Sequence, residues 1–119
     1  MILVVDDETL IRELVVDALS VEGMEAQGAA SGEAGVEIFQ ADHDSIELVI
    51  LDMLMPGMDG IETFGRLKEI DPDVRVIIST GYSDSEQTNR LIKADVKHLL
   101  RKPYRIAELI DIVRLTLMD

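Results

Sequence analysis

Leu48-Val49-Ile50-Leu51-Asp52 is a run of four branched apolar residues closed by a carboxylate. A strand with one wet face alternates apolar and polar residues, whereas a strand covered on both faces has no polar positions, and so short a run falls below the length of a buried helix. The stretch is predicted to be a central parallel strand, with Asp52 as the first residue past its covered part. Working outward, apolar runs recur at residues 2–5, 24–29, 74–78 and 96–100. The run at 24–29 is the weakest and is expected at a sheet edge.

Helical spacing fills the gaps. Leu10, Ile11, Leu14, Val15, Ala18 and Leu19 form an apolar stripe that Gly23 ends, and Ile106, Leu109, Ile110, Val113 and Leu117 form a matching last one. Ala34, Ile38 and Phe39 mark a second helix; Ile61, Phe64 and Leu67 mark a third, which Asp59 can cap with Glu62 three residues on. A fourth helix has only Leu91 and Ile92 after a cap formed by Ser83 and Glu86, so it is expected to be the least anchored. Five βα units in one short chain imply an α/β fold, a (βα)5 doubly wound parallel five-stranded sheet in the order 2-1-3-4-5 with right-handed crossovers, a flavodoxin-like three-layer sandwich.

Composition bounds the rest. A chain of 119 residues, 47% apolar, supports one core and is expected to be one domain over residues 1–119. It has no cysteine, which removes disulfides and thiolate metal sites; with only five apolar residues before Asp6-Asp7-Glu8 there is no signal-peptide pattern, so the cytoplasm is the expected location and no membrane is involved. Residues 1–65 carry fifteen acids against one base, Arg12, a balance of −14; residues 66–119 carry nine acids against ten bases, a balance of +1, which together give the net −13. Nucleic-acid binding needs clustered cations and is not expected of this chain. No phosphate-cradling glycine loop of the GxxxxGK[ST] or GxGxxG kind occurs, so any phosphoryl group must come from elsewhere.

Ligands of such sheets bind beyond the carboxyl ends of the strands. Strand 1 runs into Asp6-Asp7, strand 3 into Asp52, strand 4 into Ser79-Thr80-Gly81 and strand 5 into Lys102-Pro103. With strands 1 and 3 as neighbours, three carboxylates meet at the switch point, and their repulsion calls for a hard divalent cation such as Mg²⁺. Asp52 is then the best nucleophile for a phosphoryl group, and Lys102 and Thr80 supply an ammonium and a hydroxyl to the charge that develops. Singly, each has a plainer role: Asp7 as a helix cap, Thr80 as a turn hydroxyl, Lys102 as a surface cation. His43, in Asp42-His43-Asp44, is expected to be an exposed loop histidine, and Met53, Met55 and Met58 to be loop packing.

Over essentially its whole length the chain resembles the response-regulator receiver family. The resemblance rests on Val4-Val5-Asp6-Asp7-Glu8, on Asp52-Met53-Leu54-Met55-Pro56-Gly57-Met58-Asp59-Gly60, on Thr80-Gly81-Tyr82 and on Lys102-Pro103-Tyr104 with its cis-proline bond. It implies that Asp7, Asp52 and the Leu54 carbonyl bind Mg²⁺ directly and Asp6 largely through water. It further implies that Asp52 takes phosphate from the phosphohistidine of a sensor histidine kinase or histidine phosphotransfer protein. The expected output surface is the fourth helix, strand 5 and fifth helix, with Arg90, Lys93, Lys97, Arg101 and Arg105, facing a fused output or kinase domain, another partner, or a second copy in a homodimer. Leu99 stands where the family often has a switching Tyr or Phe; Leu54 and Tyr82 stand where members differ in phosphate lifetime. The pattern opens on strand 1 and closes on the fifth helix, as expected of a stand-alone regulator or of a piece of a longer one.

Two other classes share parts of this pattern. A haloacid-dehalogenase-like hydrolase also uses a strand-end Asp with Mg²⁺, but its second Asp follows two residues after the first, where this chain has Glu8 after Asp6, and it would release phosphate steadily from small phosphomonoesters. A flavodoxin-like cofactor binder would place a flavin phosphate against the clustered acids and would carry a chromophore.

Overall fold

The computed structural model describes residues 1–81 and 98–118. Its elements, in chain order, are β1 (Ile2–Val5), α1 (Thr9–Val21), β2 (Ala26–Ala29), α2 (Gly32–Asp42), a 3₁₀ turn (His43–Ser45), β3 (Leu48–Asp52), α3 (Gly60–Ile70), β4 (Val76–Thr80), β5 (His98–Arg101) and α4 (Ile106–Leu117). The C-terminal helix α4 is thus the fifth helix of the sequence pattern. The expected fourth helix, with Tyr82, Ser83, Glu86, Arg90, Leu91, Ile92, Lys93 and Lys97, lies outside the described residues.

All neighbouring strands pair in parallel, in the order β2-β1-β3-β4-β5, as the apolar runs predict. Side chains alternate across a sheet, and here both faces are covered. Leu3, Val5, Val49, Leu51 and Ile78 meet Phe39 of α2 and Phe64 and Leu67 of α3. Ile2, Val4, Leu48, Ile50 and Ile77 meet Val15 and Leu19 of α1 and Leu109, Ile110 and Val113 of α4. Every residue of β1 and β3 is buried, which is why neither strand tolerates a polar position before its end. Truncating a fully buried member such as Leu19 or Phe39 to alanine should cost about 2–5 kcal/mol.

Several boundaries depart from the sequence expectation. β2 begins at Ala26 rather than at residue 24, and its Gln27 is exposed, the mark of an edge strand. β4 starts two residues late because the Val74 N–H is used by a turn, donating to Asp71 O at 3.1 Å. It also runs on through Ser79 and Thr80, since Met53 N–H donates to Ser79 O (3.1 Å) and Lys102 N–H to Thr80 O (2.7 Å), continuing the pairing past the last apolar residue. On α1 only Val15 and Leu19 are buried, whereas Leu10 and Leu14 are 82% and 55% exposed. The apolar stripe is therefore wider than the core it serves.

Local signals place the helix starts. Asp59 Oδ1 accepts from Glu62 N–H at 3.0 Å, the predicted cap of α3, and Ser31 Oγ caps α2 through Ala34 N–H at 3.1 Å. Asp7 does not cap α1; the cap position is Glu8, with no side-chain cap of its own. Gly23 ends α1 at a positive φ of 80° that side chains rarely adopt. His43 is not an exposed loop residue: it sits half-buried in the 3₁₀ turn with its ring 6.1 Å from that of Phe39. Met53 and Met55 are buried, in keeping with loop packing. No helix among the described residues is long and apolar enough to cross a membrane.

Candidate functional site

Because the strands are parallel, their carboxyl ends open on one edge. β1 and β3 run side by side in register Val5↔Leu51, so the next residues, Asp6 and Asp52, are neighbours. Asp6, Asp7 and Asp52 each offer a carboxylate oxygen within 4.8 Å of the others. Asp6 and Asp52 are buried, and Asp7 is half-buried. From the far side of the crevice, Lys102 brings Nζ to 3.3 Å from Asp6 Oδ2, 3.3 Å from Asp52 Oδ1 and 3.5 Å from Glu8 Oε1. The Lys102–Pro103 peptide bond is cis, as the motif predicts.

The electrostatics follow from one cation shared among several acids. Burial, and then the charge of Asp6, push Asp52 up to about 7, and Lys102 offsets only part of this. Burial works against the Lys102 ammonium too, yet Asp52 and Asp6 outweigh it and hold its proton above the usual lysine value. Burial followed by the charge of Asp6 raises the Tyr104 phenol. The cluster thus carries more negative charge than its protein neighbours neutralise.

Backbone contacts fix these side chains. Asp6 N–H donates to Ala29 O (3.1 Å), Asp6 Oδ1 accepts from Glu8 N–H (2.9 Å), and Asp6 O accepts from Arg12 Nη1 (2.8 Å). In the loop after Asp52, Gly57 has a φ of 76°, and Met58 N–H donates to Glu33 Oε1 at 2.9 Å. Backbone N–H groups of Glu33 itself and of Met58 hold that carboxyl below its usual value. Gly60 lets α3 start hard against the loop, since a Cβ there would lie 2.8 Å from Met53 Cα and 3.0 Å from Asp52 O.

Of the residues singled out in the sequence, Asp6, Asp7, Asp52 and Lys102 come into contact or near contact. Thr80 stands buried at the end of β4, beside β3, and Leu54 lies half exposed in the turn two residues past Asp52. Leu99 packs on the same core cluster as Ile78. Glu8, Arg12, Glu33, Ser79 and Tyr104 had no predicted role. Arg12 carried one signal, being the lone base of the acidic half.

The donor set is oxygen alone, with no histidine or cysteine in it, which suits a hard cation such as Mg²⁺ and disfavours zinc or copper. The under-neutralised charge at Asp52 fits the same ion. An acid triad, two of its members buried, and a lysine at the carboxyl edge of a 2-1-3-4-5 sheet define a class. The chain belongs to the response regulator receiver domain family, whose model matches residues 2–114. Receiver domains are signalling switches, and they bind Mg²⁺ at an acidic cluster of this kind.

Among its relatives, sporulation initiation phosphotransferase F of Bacillus subtilis is 37% identical over 95% of this chain and 90% of its own length. A receiver domain structure from Clostridium thermocellum superposes with a TM-score of 0.93 at 33% identity, covering 98% of this chain and 93% of that one. A chain of a CheX-CheY-BeF3-Mg²⁺ complex from Borrelia burgdorferi is similar at a TM-score of 0.91 and 26% identity, covering 99% of this chain and 89% of that one.

Proposed function

We propose that the chain is a phosphoacceptor switch. Asp52 takes a phosphoryl group from the phosphohistidine of a sensor histidine kinase or phosphotransfer protein in a Mg²⁺-dependent reaction, and the surface around β5 and α4 carries the change to an output domain or partner. The strongest support is Asp52 itself: a buried strand-end carboxylate pushed up to about 7 and set 3.3 Å from a lysine. Receiver function would use residues 1–119 as one cytoplasmic domain, and exposed Arg101 and Arg105 beside β5 suit an acidic partner or a second copy.

Asp6, Asp7 and Asp52, with the Leu54 carbonyl, would hold the cation, Asp6 largely through water. Bound there, Mg²⁺ neutralises charge on Asp52 and on the incoming phosphoryl oxygens. An ionised Asp52 oxygen attacks phosphorus while the P–N bond to the donor imidazole breaks and its electron pair leaves on nitrogen, so no proton need come off Asp52. Lys102 then turns its ammonium to a phosphoryl oxygen, and Thr80 adds its hydroxyl. Ile11, Leu14, Val15, Pro103, Tyr104 and Ile106 line an apolar groove that shares Lys102 with the site. A donor presenting its histidine from a helix would cover that groove in reaching Asp52, which accounts for the exposure of Leu14 on α1.

Treatment with acetyl phosphate tests this. With Mg²⁺ the intact mass should rise by one phosphoryl group, and with excess chelator it should not. Labelling without a divalent ion would overturn the Mg²⁺-dependent reaction, and steady phosphate release from small phosphomonoesters would overturn the switch in favour of a hydrolase.

A further inference from the structure

Arg12 is the lone base of the acidic half, and its guanidinium is directed at a backbone oxygen: Nη1 donates to Asp6 O at 2.8 Å. To get there from α1 its stem crosses β2 over Gly28, where an added Cβ would lie 2.9 Å from Arg12 Cδ and 3.0 Å from Cγ. Gly28 has no positive φ, so no backbone strain asks for glycine at this place. What the missing side chain provides is room for the arginine.

The oxygen that Arg12 holds belongs to the peptide unit joining Asp6 to Asp7. That plane orients both acids, and the flanking restraints are the bond from Asp6 N–H, in the preceding peptide unit, to Ala29 O and the bond from Glu8 N–H to the Asp6 side-chain Oδ1. We propose that Arg12 is a positioning residue for the divalent-cation site: by fixing the Asp6–Asp7 peptide plane it sets the affinity of the acidic cluster, and Gly28 is the track that lets it reach. The inference rests on Asp6, Asp7 and Asp52 binding a divalent ion.

Charge and position predict opposite signs here, which makes the role decidable. A cation near the cluster repels Mg²⁺, so if Arg12 acted by charge alone its removal would tighten binding. If it acts by orienting ligands, removal loosens binding, as loss of a group that supports a metal ligand commonly does by 10–100-fold. The test is Mg²⁺ affinity measured by calorimetry on wild type, Arg12→Ala, Arg12→Lys and Gly28→Ala, each with its melting midpoint without metal.

We expect Arg12→Ala to weaken Mg²⁺ binding by about tenfold and Arg12→Lys to recover part of it. Gly28→Ala should weaken it similarly with the full charge in place, because the atoms it meets belong to a flexible side chain that can swing aside without unfolding the strand. Should Arg12→Ala bind Mg²⁺ as well as wild type or better, or should affinity only follow the melting midpoints, the positioning role is overturned. A wild-type chain that binds no divalent ion overturns the metal site itself, and this inference with it.

Discussion

Asp52 and Asp59 bracket one loop, and their surroundings give the same side chain two different tasks. Asp59 finds a free backbone N–H at a helix start and accepts from Glu62. Asp52 ends a strand buried on both faces, and its close neighbours are charges: Lys102 at 3.3 Å and the carboxylate of Asp6. A carboxylate met by an N–H dipole is structural, whereas one met by another carboxylate holds stored repulsion that a cation or a phosphoryl transfer can relieve.

The largest effect that would break this contrast is on labelling. Asp52→Asn should abolish phosphorylation by acetyl phosphate, while Asp59→Ala should be labelled normally and lose only about 1 kcal/mol of stability with its cap. Intact-mass analysis with a denaturation curve reads both. Label kept in Asp52→Asn and lost in Asp59→Ala would reverse the assignment.

A second effect concerns pH. Asp52 has a higher value folded, about 7, than the ordinary aspartate value it regains when unfolded, so folding takes up a proton in between. Its contribution to stability is full below the unfolded value and is lost as pH rises toward about 7. Metal-free Asp52→Asn, which cannot ionise there, should therefore melt above wild type at pH 8 and close to it near pH 4. Mg²⁺, which binds the ionised form, should raise the wild-type midpoint far more at pH 8 than at pH 5.5. A metal effect independent of pH would mean that Asp52 is ionised throughout.

The two aspartates also show what the sequence can carry. Strand order follows from runs that must be continuous when both faces are covered, and the four corners of the site follow from where those runs stop. The cap at Asp59 needs only local spacing. Less was legible wherever contacts run between elements. Nothing periodic marks Arg12 reaching from a helix to the carbonyl of Asp6, nor Gly28 as the gap it crosses. An apolar stripe says nothing of whether Leu14 faces a core or a groove, and strands that end in Ser79-Thr80 look two residues too short when only apolar residues are counted.

A smaller effect tests the loop between the aspartates. Leu54 is half exposed two residues past Asp52, where a polar side chain could align a hydrolytic water and leucine cannot. Leu54→Asn should speed loss of the phosphoryl group, by less than the roughly hundredfold that a true general base contributes, since an amide orients water without taking its proton. The decay of labelled protein by intact mass decides it, and slower decay would contradict the account.

The smallest effect lies beside Asp52 on the next strand. Ser79 is the register partner of Asp52, is 2% exposed, and its hydroxyl has no hydrogen-bond partner among the described residues. A buried unpaired hydroxyl costs about 1–3 kcal/mol, while Ser→Ala removes a single heavy atom and leaves little cavity. Ser79→Ala should therefore stabilise the unmodified protein by about 1 kcal/mol, a rise of about 4 °C in melting midpoint for a chain of this size. If the hydroxyl is held for the phosphorylated state, the same variant should also shorten the lifetime of the phosphoryl group on Asp52. A higher midpoint with unchanged lifetime would make Ser79 a packing flaw with no part in the site. A lower midpoint would show that the hydroxyl is already satisfied in solution, by an ordered water, and that the charge around Asp52 is the only strain stored there.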